Sequence, residues 1–214
     1  MNTDFILHGC NDYEDLLVLI NTVKKFKETN DTIIVILDSL NTNDKIIDMV
    51  KSFGIEPTFY AHDNWQKKWE FEKTLWQGDL VVNLDADEIP PYLLFKVFRQ
   101  PFINDPNLEV LAIPRINLYI NVTPEKVANM YVGNRPQDFI MQNINALGWS
   151  NWPDYQIRIH RPLKHLVWGI TTHSGICNYN TLAQLPADPA IALAHAKTIE
   201  HVERMCRLYD KLGY

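Results

Sequence analysis

The sequence predicts an α/β fold with a Rossmann-like N-terminal half, and three observations carry that expectation. Between residues 4 and 60, short β-branched, apolar runs alternate with stretches whose apolar positions recur every three or four residues, the pattern of a parallel sheet joined by right-handed helical crossovers. The stretch Gly78 to Pro91, GDLVVNLDADEIPP, is a further apolar run that ends in three carboxylates. The 214 residues, 46% of them hydrophobic, suffice to bury a substantial core, so one domain over residues 1–214 is expected.

Taken in order, Asp4 to His8 is a short apolar strand, and Gly9-Cys10-Asn11-Asp12 turns into a helix that runs to about Lys27. Asn11 and Glu14 have capping-box spacing, and Tyr13, Leu16, Leu17, Ile20 and Val23 make one apolar face. Thr32 to Leu37, nearly all β-branched, is a second strand and stops at Asp38, a residue suited to a turn or a helix cap. Ile46, Ile47, Val50 and Phe53 form the next helical face, Gly54 has the place of its C-terminal cap, and Glu56 to Tyr60 return as a third strand. No G-x-G-x-x-G follows the first strand, which removes most support for a dinucleotide-dependent dehydrogenase. A helix then opens at His62-Asp63-Asn64-Trp65. Trp65, Trp69 and Trp76 stand at helical spacing and are expected in the core, with Lys67, Lys68 and Lys73 between them.

Leu80 to Leu84 reads as a buried strand of the parallel sheet. Ligands of open α/β sheets gather outside the carboxyl ends of the strands, so Asp85, Asp87 and Glu88 are expected at the mouth of such a crevice. Clustered carboxylates repel one another unless a positive charge sits between them, and a hard divalent cation is their usual partner. A solvated acidic turn is the reading that the motif alone leaves beside this one.

Tyr92 to Phe102 is expected as a helix and Val110 to Ile113 as a strand leading into Pro114-Arg115-Ile116-Asn117-Leu118-Tyr119. Residues 121–148 show no regular period and are expected to loop over the site. In the stretch from Trp152 to Ile176, Tyr155, Ile157 and Ile159 alternate with Gln156, Arg158 and His160, as in a half-buried strand. The basic cluster Arg158, His160, Arg161, Lys164 and His165 is then placed to face a diphosphate or an acceptor phosphate. Asp154 stands where that strand begins, beside Trp149, Trp152 and Tyr155, aromatic residues suited to wall a sugar site. Partial burial there raises a carboxyl toward the range of a general base, and a turn aspartate after Pro153 is the alternative. Leu182 to Asp188 is expected as a linker, and Pro189 to Leu212 as a closing helix ended by Gly213.

In this order the stretches resemble glycosyltransferase family two, of the GT-A fold. The resemblance lies in DADE followed by an apolar residue and proline; in a D-x-Q-x-R strand with a further arginine, matched by Asp154, Gln156, Arg158 and Arg161; in a W-G turn with a histidine, matched by Trp168, Gly169 and His173; and in a closing helix bearing His195. Ser174 stands where many relatives carry a glutamate after that histidine. The resemblance implies a GT-A fold with a mixed, mostly parallel sheet flanked by helices, residues 1–91 forming the nucleotide-sugar-binding half, 92–185 the acceptor-facing half and 186–214 the closing helix. It implies a nucleotide-diphosphate sugar donor and Mn²⁺ or Mg²⁺, with Asp85, Asp87 and His173 as metal ligands. Asp38, Lys73, Asp85, Arg158 and His173 are the implied donor-binding residues, Asp154 is the candidate catalytic base, and inversion at the anomeric carbon is the implied outcome.

Two rivals stand beside that reading: a metal-dependent nucleotidyltransferase, for which His8-Gly9-Cys10-Asn11 is a poor glycine-rich loop, and a noncatalytic sugar-nucleotide or glycan-binding module. The acceptor is a hydroxyl of a glycan, a lipid-linked sugar, a protein or a modified DNA base, and the net charge of −6 gives nonspecific nucleic-acid binding no help. Cys10, Cys177 and Cys206 match no zinc spacing and no disulfide framework. No apolar run approaches the roughly 20 residues of a membrane span, and a cytoplasmic protein is expected.

Overall fold

The computed structural model describes residues 1–61, 64–120, 123–129, 144–169 and 175–212. Its first half alternates strand and helix: β1 (Thr3–Gly9), α1 (Tyr13–Phe26), β2 (Thr32–Asp38), α2 (Asp44–Ser52), β3 (Thr58–Tyr60), α3 (Trp65–Glu72) and β4 (Leu80–Asp85). There follow β5 (Glu88–Ile89), α4 (Tyr92–Val97), α5 (Gln100–Asn104), β6 (Val110–Ile120), α6 (Pro124–Asn129), β7 (Trp149–His160), β8 (Val167–Trp168), β9 (Ile176–Cys177), β10 (Leu182–Gln184), β11 (Leu193–Thr198) and α7 (Ile199–Leu212).

Among the described residues one nine-stranded sheet runs β3-β2-β1-β4-β7-β6-β11-β5, with β10 also paired to β6. The quartet β3-β2-β1-β4 is parallel throughout, as the alternation of apolar runs and helical faces predicts. β7 is antiparallel to both β4 and β6, and β10 and β11 are parallel to β6, so the sheet is mixed and mostly parallel.

Strand alternation sorts the core onto two faces. Phe5 and Leu7 of β1, with Leu80, Val82 and Leu84 of β4, pack against Leu16, Leu19 and Ile20 of α1, Met49 and Val50 of α2, and the aromatic residues of α4 and α5. Ile6 and Val81 point the other way, onto Phe71, Leu75 and Trp76 at the end of α3 and beyond it. A Cβ at Gly9 would stand 2.7 Å from Leu16 Cδ2, so the absence of a side chain lets α1 close against the end of β1. Asn43 and Asn64 cap α2 and α3 by accepting from Ile46 N and Lys67 N.

Several elements differ from the sequence expectation. α1 starts one residue later than the capping box implies: Asp12 is its N-cap and makes no side-chain capping bond. The tryptophan stripe outruns its helix, since α3 ends at Glu72, although Trp76 still packs edge-on to Trp69 at 5.3 Å. The helix expected over residues 92–102 is split into α4 and α5, and part of the expected linker pairs with β6 as β10. The largest change lies in the closing segment. Its Ala-rich start reads as helix by propensity, but sheet pairing overrides that weak preference: Pro189–Ile191 form one 3-10 turn and Leu193–Thr198 form β11, held between β6 and β5. His195 therefore stands on a strand, and the helix begins only at Ile199. No helix among the described residues is long and apolar enough to cross a membrane.

Candidate active site

β4 delivers Asp85 to the carboxyl end of the parallel quartet, and the turn Ala86-Asp87 reverses the chain into β5. β5 pairs with β11 so that Glu88 lies opposite His195, and β11 pairs with β6 so that His195 lies opposite Asn117. The acidic motif is thus enclosed by β6, β7 and β11.

Two carboxylates of the motif are taken up by arginines. Glu88 is wholly buried, at 0% exposure, and its Oε1 accepts from Arg115 Nη1 at 2.7 Å and from Arg158 Nη2 at 2.6 Å. Arg158 Nη2 also donates to Asp85 Oδ2 at 2.8 Å. Burial pushes the Asp85 carboxyl up, but Arg158 and His8 outweigh it and pull it down to about 2. Arg158 reaches both acids because β7 slips register between Leu111 and Ala112 of its partner, which makes Arg158 an extra, bulged residue.

Asp87 has a different surrounding. Its Oδ2 lies 3.3 Å from His195 Nε2, 3.3 Å from Lys197 Nζ and 3.8 Å from His201 Nε2. Burial raises its carboxyl, but His195, Lys197 and His201 together hold it well below the usual range. Burial lowers both imidazoles, with Lys197 adding to the effect, so His195 and His201 are biased to the neutral form. Arg204 of the same helix as His201 pairs with Asp12 at 2.8 Å, which brings α7 against the β1–α1 turn.

A polar chain joins these two surroundings. Asp154 Oδ2 accepts from Arg115 Nε and Nη2 at 2.9 and 2.6 Å and from Asn117 Nδ2 at 2.8 Å, while its Oδ1 accepts from Gln156 Nε2 at 2.8 Å. Asn117 Oδ1 lies 2.6 Å from His195 Nδ1. Beneath Asp85, Glu72 pairs with Lys68 at 3.5 Å and with His8 at 3.6 Å, and burial raises its carboxyl to about 7 against the pull of Lys68.

The residues singled out from sequence fare unevenly. Asp85, Asp87, Arg158 and Asp154 come together. The expectation that burial lifts Asp154 is corrected: burial does push it up, but Arg115, Asn117 and Gln156 hold its carboxyl below the ordinary value. Asp38 closes its own turn, accepting from Leu40 N at 3.1 Å and from the Asn41 amide. Lys73, the C-cap of α3, is turned onto Glu70 at 2.8 Å and the Lys164 carbonyl at 3.0 Å, whereas Lys68 within α3 faces Glu72 at 3.5 Å. The basic cluster disperses. Arg161 donates to the Leu108 and Phe102 carbonyls, and His165 faces Glu109. His160 is buried with Trp69 and Trp76 and lowered to about 4. His173 lies outside the described residues.

Sequence alone assigns no site role to Arg115, Asn117, Lys197 or His201. The period-two pattern of Leu193, His195 and Lys197 was the available signal, masked by the surrounding alanines.

The sequence matches no protein-family model and no curated protein. In structure the chain is similar to glucosyl-3-phosphoglycerate synthase from Mycobacterium tuberculosis in complex with Mg²⁺ and uridine-diphosphate, at TM-score 0.57 and 14% identity, over 99% of this chain and 79% of that one. It is also similar to S. aureus TarS 1-349 in complex with UDP-GlcNAc, at TM-score 0.60 and 14% identity, over 92% of this chain and 59% of that one. The fold is GT-A. The order β3-β2-β1-β4, the antiparallel β7 and the acidic turn after β4 are how this chain builds it.

Proposed function

We propose that the chain is a metal-dependent glycosyltransferase that moves a sugar from a nucleotide-diphosphate sugar to an acceptor hydroxyl, with inversion. The observation that carries the proposal is the pairing of Asp87 with His195 at the carboxyl end of the parallel quartet of a GT-A fold. Adjacent ligands of an octahedral ion with bonds of about 2.1 Å lie about 3 Å apart, and Asp87 Oδ2 and His195 Nε2 are separated by 3.3 Å. Among the described residues no group of three or more His, Cys, Asp or Glu side chains forms a ready metal cage. An ion that keeps its waters and shares its remaining positions with phosphate oxygens needs none. The carboxylate and the water and phosphate oxygens suit Mn²⁺ or Mg²⁺, and His201 Nε2, 3.8 Å from Asp87 Oδ2, is within reach to join His195.

Once bound, such a cation supplies positive charge to a leaving diphosphate. The chain's own residues do the rest. Arg158 and Arg115 fix the backbone turn that carries Asp87, Lys197 adds a cation beside the same carboxylate, and the partly open Asp85 carboxylate faces the crevice as a hydroxyl acceptor for the donor ribose. Uridine-diphosphate sugars are the donors to try first, since the two structures above hold uridine-diphosphate and UDP-GlcNAc.

The test is incubation with a panel of nucleotide sugars, with and without Mn²⁺, measuring free nucleoside diphosphate. Mn²⁺-stimulated release from one donor supports the reading. Release of nucleoside monophosphate or pyrophosphate points to nucleotidyl transfer, and donor binding without turnover points to a binding module.

A further inference from the structure

His195 is fixed from behind by a chain of hydrogen bonds whose direction has only one solution. Asp154 is held by Arg115, Asn117 and Gln156, all donors, and its ionised carboxylate only accepts. Asn117 must therefore turn its NH₂ group toward Asp154 Oδ2 at 2.8 Å, and the same group is 3.3 Å from a second pure acceptor, the Ser150 carbonyl. Its Oδ1 is left facing His195 Nδ1 at 2.6 Å. A carbonyl oxygen accepts, so the ring must carry its hydrogen on Nδ1. In the neutral ring Nε2 is then a bare lone pair, and it points at the Asp87 carboxylate 3.3 Å away. Nε2 and the Asp87 carboxylate, with Lys197 Nζ 3.3 Å from the same carboxylate oxygen, then stand one ligand-to-ligand span apart, and a cation there takes the Nε2 lone pair.

We propose that Asp154 and Asn117 are positioning residues which set the tautomer of His195 and hold its Nε2 lone pair ready for a divalent cation at Asp87. Asp154, which the sequence suggests as the general base, then acts through Asn117 and His195 instead of on the acceptor proton. The register supports this assignment: Arg115 lies opposite Asp154, and His195 stands opposite Asn117 on β6 and opposite Glu88 on β5. The chain of bonds thus runs across neighbouring strands of a rigid sheet. Outer partners of this kind typically carry 10–100-fold in metal affinity.

The inference rests on the metal reading above, and the experiment separates the two. Nitrogen-15 NMR of histidine-labelled protein without metal, followed over pH, should show the neutral His195 ring with its hydrogen on Nδ1. Mn²⁺ titration followed by EPR should show affinity falling about 10–100-fold in Asn117→Leu and about tenfold in Asp154→Asn, with the His195 nitrogen pattern changed in both. A general base would instead lose turnover in Asp154→Asn with Mn²⁺ affinity and the His195 nitrogens unmoved, which overturns the inference. So does a neutral His195 ring with its hydrogen on Nε2 in the wild-type chain, a measurement that needs no variant to fold. If Asp87→Asn loses Mn²⁺ while Asn117→Leu keeps it, the inference fails and the metal reading survives. If the wild-type chain binds no Mn²⁺, both fail.

Discussion

Asp85 and Glu88 on one side, and Asp87 on the other, belong to the same four residues of sequence but meet different partners. The first two face arginines, which stay charged at any working pH and form short, directional bonds of 2.6 to 2.8 Å. Asp87 faces two imidazoles and a lysine at 3.3 to 3.8 Å, longer contacts than those of the arginines. An arginine–carboxylate pair buried at 2.6 Å is a fastening. A carboxylate ringed by longer contacts to two imidazoles and a lysine is looser and can exchange a partner for a ligand. Glu88 is therefore scaffold, Asp85 shares an arginine with it but stays half-open, and Asp87 is left to the proposed cation, a division that follows from which strand each residue meets.

Breaking the scaffold side should have the largest effect. Glu88→Gln leaves Arg115 and Arg158 buried against a neutral amide, and loss of one partner of such a pair costs about 3–5 kcal/mol. Asp85→Asn, whose side chain is 45% exposed, should cost under about 1 kcal/mol. Urea unfolding of both variants checks this, and an equal cost would contradict the contrast between the buried Glu88 and the half-open Asp85.

The buried Glu72 beneath Asp85 gives the next effect, through pH. Its carboxyl is raised by burial from the ordinary 4.5 to about 7. A carboxyl raised on folding holds its proton more tightly in the folded chain, so its contribution to stability is complete below 4.5 and is lost as the pH rises through 7. At roughly 1.4 kcal/mol per unit, the loss approaches about 3 kcal/mol. The stability of the wild-type chain relative to Glu72→Gln should fall between pH 5 and pH 8, and a pH-independent difference would contradict the raised value.

On the site side, Asp87→Asn should keep the fold and cost more than about 100-fold in Mn²⁺-stimulated turnover, above the 10–100-fold that outer partners carry. Full activity in EDTA would remove the metal reading of this side.

How much of this was readable in advance follows from the kind of interaction involved. The parallel quartet and the acidic turn were legible because both are local: a β-branched run and its flanking residues are contiguous in sequence. Arg158 was flagged by its motif, but its double bond to Asp85 and Glu88 depends on a register slip in β7 that no periodicity reports. The role of His195 was hidden by alanines that favour helix, and only the pairing of β11 with β5 and β6 sets the ring in place. For Asp154, burial was foreseen but its four donors were not, since Arg115 and Asn117 come from a strand some 40 residues away, and the sign of its shift reversed.

Lys68 of α3 and Lys73 at its C-terminal cap give the smallest and sharpest test. The resemblance implies Lys73 as a donor-binding residue, and spacing alone does not separate it from Lys68. In the structure Lys73 Nζ already has two partners, Glu70 Oε1 at 2.8 Å and the Lys164 carbonyl at 3.0 Å. Its pair with the mostly exposed Glu70 is of the surface kind, which contributes at most about 1 kcal/mol. Lys73→Met should accordingly change stability little and donor affinity by less than about twofold. Lys68 is buried, 3.5 Å from Glu72, and its charge helps to hold down Asp85. Lys68→Met should therefore destabilise by several times as much and raise the pH at which Glu72 and Asp85 ionise. Calorimetric titration of the two variants with a nucleoside diphosphate, beside their unfolding curves, distinguishes them. A large loss of donor affinity in Lys73→Met with Lys68→Met unaffected would show that the lysine turned toward Glu70 here swings to the ligand when the donor binds.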